Sequence, residues 1–191
     1  MTPAERAREV LGALAALAQQ VAATQADTVA RLAARYAKTL AGGGTLYFAG
    51  NGGSAADAQH MAAEYVIRFS RNRKALAAVA LTTDTSLLTA CGNDIGFDEL
   101  FARQVEALVK PGDLLILHST SGESPNLIRA AQAAKVKGAA VAALLGRGGG
   151  QVKDLVDDHL VVPSDETSHI QEIHLAVEHA ICELVERELD V

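Results

Sequence analysis

Tryptophan is absent, aromatic residues make up 4% of the chain, and Asp and Glu outnumber Lys and Arg by enough to leave a formal net charge of -6. Without a basic stripe or aromatic platforms, nucleic-acid binding through charge and stacking is excluded. Cysteine is nearly absent too. Cys91 and Cys182 stand alone and form no CxxC, which excludes a disulfide framework and a cysteine-based zinc site. Both read as buried thiols in a reducing compartment. No apolar run approaches the ~18 residues of a membrane span. Glu5, Arg6, Arg8 and Glu9 interrupt the start of the chain, so no secretory leader is expected. The expectation is a cytoplasmic protein with no membrane and no nucleic-acid partner. The one basic cluster, Arg68 to Lys74, reads as a solvated helix end.

What the chain does contain is an apolar share of 49%, rich in alanine, which suits close helix packing and leaves apolar surface for subunit contacts. Thr2-Pro3-Ala4-Glu5 is a helix start: Thr2 caps, Pro3 fits the first turn and Glu5 completes a capping box. One helix is expected to about Ala23 and a second from about Asp27 to Leu40, ending at Gly42-Gly43-Gly44. These helices, residues 1–42, precede the first strand and cannot be crossovers, so they must pack on something, and another copy of the chain is one candidate. From residue 43 to 191 apolar strands alternate with helices. The expected strands are Thr45–Ala49, Ala77–Leu81, Leu114–His118, Ala140–Leu145 and Asp158–Val162, and the last helix is Ser168–Leu189. Uniformly apolar strands in such alternation form a parallel sheet covered on both faces. The fold class is therefore α/β: one domain, residues 1–191, built as a three-layer α/β/α sandwich with a five-stranded parallel sheet.

Two loops carry chemistry. His118-Ser119-Thr120-Ser121-Gly122-Glu123-Ser124-Pro125-Asn126 leaves a strand and enters a helix. Ser124 suits the N-cap and Pro125 the first helical position. Free amides, the helix dipole and the hydroxyls of Ser119, Thr120, Ser121 and Ser124 favour an anion there. The loop has no lysine, so it is not a Walker-type nucleotide loop; it suits a phosphate monoester. Gly50-Asn51-Gly52-Gly53-Ser54 has the same strand-to-helix placement. A third loop, Gly146 to Gly150, reads as a flexible turn.

These residues resemble the sugar isomerase (SIS) domain, and more closely its phosphoheptose isomerases. The resemblance rests on Gly50-Asn51-Gly52-Gly53-Ser54, on Asp57-Ala58-Gln59-His60 continuing to Glu64, on Gly92-Asn93-Asp94, on Ser119-Thr120-Ser121-Gly122 and on Ile170-Gln171-Glu172-Ile173-His174. It implies conversion of sedoheptulose 7-phosphate to a heptose 7-phosphate for cell-envelope carbohydrate. It also implies a homotetramer with sites between subunits, and one Zn2+ per subunit with His60, Glu64, Gln171 and His179 in the matching positions. Glu64 and His179 match the acid–base residues. Asn51, Gly52, Gly53, Glu64, Asn93, Asp94, Ser119, Thr120, Ser121, Ser124 and Gln171 match substrate contacts. Where relatives carry an arginine before the Ile-Gln-Glu run, often with an acidic residue ahead of it, this chain has Ser168-His169.

The residue types suit the chemistry. Aldose–ketose isomerisation moves a proton between neighbouring carbons through an enediol, and needs a base and a group that handles oxygen protons. Glu64 serves as the base; a neutral imidazole at His179 serves the oxygens. His60 and Glu64, four apart, share a helix face and form a two-ligand arm, or an ordinary polar helix pair. Gln171 and His179 are separated by ~12 Å of helix rise and ~80°. They reach one ion by leaning together, or belong to different copies' sites. His174 is a second-choice ligand or orienting group; His118, His159 and His169 are read as non-ligands. A carboxylate bound tightly to zinc is a poorer base, so either Glu64 shifts on substrate binding or the metal is structural or regulatory. The alternative function is a non-catalytic SIS-domain tetramer that binds a phosphosugar or the replication initiator protein. That kind of relative lacks the matching Glu and His.

Overall fold

A computed structural model describes residues 1–191. Helix α1 runs Pro3–Ala41; then follow β1 (Leu46–Gly50), α2 (Gly53–Val66), β2 (Ala78–Ala80), α3 (Thr85–Asp94), α4 (Leu100–Leu108), β3 (Leu114–Ser119), α5 (Pro125–Val136), β4 (Ala140–Leu145), β5 (Asp158–Val161) and α6 (Thr167–Glu188). The strands form one all-parallel sheet in the order β2-β1-β3-β4-β5. This is the expected three-layer sandwich. No helix is long and apolar enough to cross a membrane.

Alternation along the strands divides the core. Leu46, Phe48, Leu114 and Ile116 face α1, α2 and α6; Tyr47, Ala49, Leu115 and Leu117 face α4 and α5. The chain leaves β1 toward β2, then returns across β1 to build β3, β4 and β5 on its other side. Strand order therefore reverses between β1 and β3, with Gly50 in register with His118. In open α/β sheets the crevice beyond the carboxyl ends at such a reversal is where ligands bind.

The N-terminal region is one helix of 39 residues, not two. Nothing between Val21 and Thr28 breaks a helix. The turn through Thr24 is kept by a bond from its hydroxyl to the Gln20 carbonyl, and Gln25 fastens the middle of α1 to the Val161 carbonyl at 2.7 Å. The capping box at Thr2 and Glu5 is present. The first buried residue of α1 is Leu17, so about 21 Å of helix, at ~1.5 Å per residue, precedes it, with Leu14 packed at the edge of the core.

In the basic cluster Arg68, Arg71 and Lys74 are exposed just beyond the end of α2, as expected, and one member departs from that role. Arg73 is not at a solvated helix end: its side chain is 2% exposed and pairs with the equally buried Glu186 of α6 at 2.8 Å. The same guanidinium donates to the carbonyls of Glu64 and Tyr65, each at 2.8 Å, satisfying the end of α2. The Glu186 carboxylate also accepts from the backbone of Phe69, Ser70 and Arg71 and from the Ser70 hydroxyl. Burial opposes the charge, but these donors outweigh it and lower the Glu186 pKa. Removing one partner strands the other. Arg73→Met is expected to lower unfolding free energy by about 3–5 kcal/mol, read from urea denaturation; a loss under 1 kcal/mol counts against this account.

Candidate functional site

Both carboxyl-end loops border the crevice, and a reciprocal amide pair joins them. Asn51 donates to Asn126 and Asn126 donates back, each at 2.9 Å. Asn126, 1% exposed at the start of α5, is a site residue that sequence reasoning missed as a partner. Its only signal was membership of the serine loop. Gly52 heads α2 at φ 58, a conformation that favours glycine.

The serine loop is shaped from within. Ser119 Oγ accepts from the Gly122 amide at 2.9 Å and Ser121 Oγ from the Glu123 amide at 3.2 Å. Gly122, at φ 67, packs so closely on the Gly149 carbonyl that a Cβ would collide with it. Glu123 accepts from the backbone and side chain of Gln151. The Gly146–Gly150 turn is thus a buttress of the serine loop. Arg147 within it, at φ 48, donates to the Asp165 carbonyl and the Thr167 hydroxyl at the head of α6, beside Ser168 and His169. Ser124 occupies the N-cap of α5, as expected, but its hydroxyl makes no capping bond. The hydroxyl therefore remains available at the helix's positive end.

Farther along α2, His60 and Glu64 meet His179 of α6. His60 Nε2 lies 2.9 Å from His179 Nε2 and 3.4 Å from Glu64 Oε1. One ligand atom from each residue lies within 4.8 Å of the others. Phe69 stacks on the His179 ring at 5.5 Å. Two imidazoles and a carboxylate are a zinc-type donor set. Their 2.9 and 3.4 Å separations bracket the ~3.3 Å edge of a tetrahedron with ~2.0 Å metal bonds. The residues fit a divalent metal ion.

The other expected residues fall in two places. Gln171 lies against Gly53, its amide within 2.8 Å of where a Cβ would stand. Gly53 is seven residues, ~10 Å of helix, from His60, so the side chain groups with the crevice at Asn51, Gly52 and Gly53. Asn93 and Asp94 are exposed at the end of α3, bonded to each other, on a helix that packs against α4. Asp94 is not part of the His60–Glu64–His179 group.

His174 is corrected as a ligand. It is fully buried, its Nε2 faces the Leu145 carbonyl at 3.1 Å, and burial lowers its pKa to about 3. It is a neutral core histidine. His118, read as a non-ligand, is likewise buried, 3.1 Å from Glu178 of α6. Burial opposes its charge, but the Glu178 carboxylate prevails and its pKa is raised. Burial also raises the pKa of Asp57, one turn before His60.

A family model described as the SIS domain matches residues 11–146. The phosphoheptose isomerase of Paramagnetospirillum magneticum is 54% identical over 156 residues, covering 82% of this chain and 81% of that protein. That of Akkermansia muciniphila is 50% identical over 167 residues, covering 87% and 88%. Among solved structures, a phosphoheptose isomerase from Neisseria gonorrhoeae superposes with a TM-score of 0.91 at 41% identity, over 97% of this chain and all of that one. With the sheet, the paired loops and the His60–Glu64–His179 cluster in place, the chain belongs to the SIS domain family and, within it, to the phosphoheptose isomerases.

Proposed function

We propose that the protein interconverts sedoheptulose 7-phosphate and D-glycero-D-manno-heptose 7-phosphate, or the closely related heptose 7-phosphate, through an enediol. The observation that carries this reading is the convergence of His60, Glu64 and His179 on one point, along the helix whose first turn borders the serine loop. The phosphate is gripped by the hydroxyls of Ser119, Thr120, Ser121 and Ser124 and by the amides at the head of α5. Asn51, Gly52, Gly53 and Gln171 line the crevice along the sugar. The ~10 Å of α2 between Gly53 and His60 suits an extended seven-carbon sugar, with the carbonyl end at the cluster.

Glu64 removes the carbon-bound proton and returns it to the neighbouring carbon. His179 moves protons to and from the sugar oxygens. His60, Glu64 and His179 would hold zinc, which as a Lewis acid supplies polarisation of sugar oxygens when bound; Glu64 serves as the base when its carboxylate shifts off the ion as substrate binds. Gln171 becomes a fourth ligand only if its side chain leaves Gly53, so substrate contact is its first role on this reading.

The reading includes a homotetramer with sites between subunits. Two separate apolar faces support it, since a tetramer of dihedral symmetry needs more than one kind of contact. One is a groove between α1 and α6 lined by Ala18, Ala22, Ala26, Ala176, Ala180 and Leu184. The other carries the exposed Leu87, Ile95, Phe97 and Leu108 of the α3–α4 region. Asn93 and Asp94 then serve a neighbouring copy's site. The free thiols of Cys91 and Cys182 agree with a cytoplasmic enzyme.

Purified protein incubated with sedoheptulose 7-phosphate, with and without chelator, and followed by NMR of the sugar carbons tests the reaction; no new aldose signal under either condition sinks it. Glu64→Gln is expected to lower kcat about a thousandfold, within the general-base range, while sugar-phosphate binding survives; an active variant removes Glu64 as the base. Ser121→Ala with Ser124→Ala is expected to raise KM at least about tenfold, the equivalent of ~1.4 kcal/mol; an unchanged KM moves the phosphate elsewhere. Calorimetric titration is expected to show one Zn2+ per chain, lost in His60→Ala; equal binding by that variant rejects the cluster as the metal site.

A further inference from the structure

Behind the crevice, between the sheet and α6, lies a polar group that the proposed reaction does not use. His118 continues the strand face of Leu114 and Ile116 and so points toward α6. Its Nε2 is 3.1 Å from Glu178 Oε1, and both side chains are no more than 2% exposed. The Tyr36 hydroxyl of α1 donates to the same carboxylate oxygen at 3.2 Å. The rings of Phe48 and His174 lie about His118, with centroids 6.1 and 6.4 Å away. One carboxylate thus ties β3, α6 and α1 together.

As a stabilising device this is a poor choice. Glu178 Oε2 and both ring nitrogens of His118 are buried without a hydrogen-bond partner, so the 3.1 Å approach of His118 to Glu178 is a close polar contact and not an aligned hydrogen bond. Replacing a buried ion pair with apolar side chains of similar volume is commonly neutral or stabilising. Nor does the group converge as a second metal site, as the His60 cluster does. What distinguishes it is its neighbours in sequence. His118 immediately precedes Ser119, Glu178 immediately precedes His179, and Gly50, in register with His118, precedes Asn51. Apolar packing tolerates small slides of a helix over a sheet. The Tyr36 hydroxyl bond to Glu178 Oε1 and the close approach of His118 to the same oxygen hold one axial and rotational setting of α6, since in a helix each residue step is 100° and 1.5 Å.

We propose that His118 and Glu178 are positioning residues: their contact sets α6 against the strand that carries the serine loop, so that His179 is aimed at His60 and Glu64. This rests on the isomerase reading for its kinetic consequence, and on the His60 cluster alone for its metal consequence. The serine loop is closed by its own bonds and by Gly149 and meets α6 through Arg147 and Thr167, so the phosphate grip depends on the pair less than the His60 cluster does.

The test compares wild type with Tyr36→Phe/His118→Leu/Glu178→Leu, which removes all three polar groups together, and with His118→Gln, which keeps a donor. Melting temperature, kcat, KM and Zn2+ affinity are measured for each. The triple variant is expected to melt at or above the wild-type temperature. Its kcat and its Zn2+ affinity should each fall about ten- to a hundredfold, the usual effect of losing support behind a metal ligand, with KM unchanged within about threefold of wild type on that scale. His118→Gln should restore both. A folded triple variant with wild-type kcat and Zn2+ affinity overturns the proposal. If the triple variant does not fold, His118→Leu against His118→Gln decides at a temperature where both are native: a gap of about tenfold in kcat and Zn2+ affinity supports it, and equal values overturn it. Wild-type protein that fails to isomerise sedoheptulose 7-phosphate defeats the reaction instead, and the Zn2+ comparison still judges the positioning role.

Discussion

The enclosed Glu186 carboxylate fixes α6 against the end of α2, and the His60–Glu64–His179 cluster exists only where those two helices meet. Glu186 stands seven residues, two helical turns, from His179 and so shares its face of α6. Arg73, which neutralises Glu186, also holds the carbonyl of Glu64. One buried pair therefore governs both ends of the cluster: the backbone that carries the carboxylate and the helix that carries the imidazole. Three groups drawn from positions 60, 64 and 179 meet at distances short enough for a metal because this contact leaves the helices little freedom.

On the proposed reading, the site separates holding from reacting. The crevice at the β1–β3 reversal supplies amides and hydroxyls, whose geometry comes from glycine-rich turns and from bonds made within the loops. The cluster, two turns along α2, supplies groups that bind metal or exchange protons. The Asn51–Asn126 pair keeps the two loops at a constant separation, and α2 spans the distance to the cluster as a rigid rod. This arrangement suits an anionic tail at one end of a long substrate and chemistry at the other.

A single chain leaves surface unused. The first turns of α1, the α1–α6 groove and the α3–α4 face all present apolar side chains to solvent. The exposed Asp94 is not part of the cluster of its own chain. These features agree with the proposed assembly, in which neighbouring copies would complete the site and burial of the apolar faces would supply the driving force.

The strands, the alternation and both loops were legible in the sequence, because apolar runs and glycine or proline punctuation are local signals. Thr2, Pro3 and Glu5 announced the start of α1 through a capping box that needs only four residues. The same local reading divided α1 at Thr24, where no breaker stands and where contact with β5 helps to keep one helix. Glu64, His60 and His179 were found through their resemblance to a family, since their spacing alone allowed an ordinary helix pair. Their meeting, and the exclusion of His174, were decided by the rotation of α6 against the sheet. Likewise no local pattern pairs Arg73 with Glu186, or His118 with Glu178. Those pairs join residues more than fifty positions apart, and whether a charge is solvated or buried depends on what the rest of the chain packs over it.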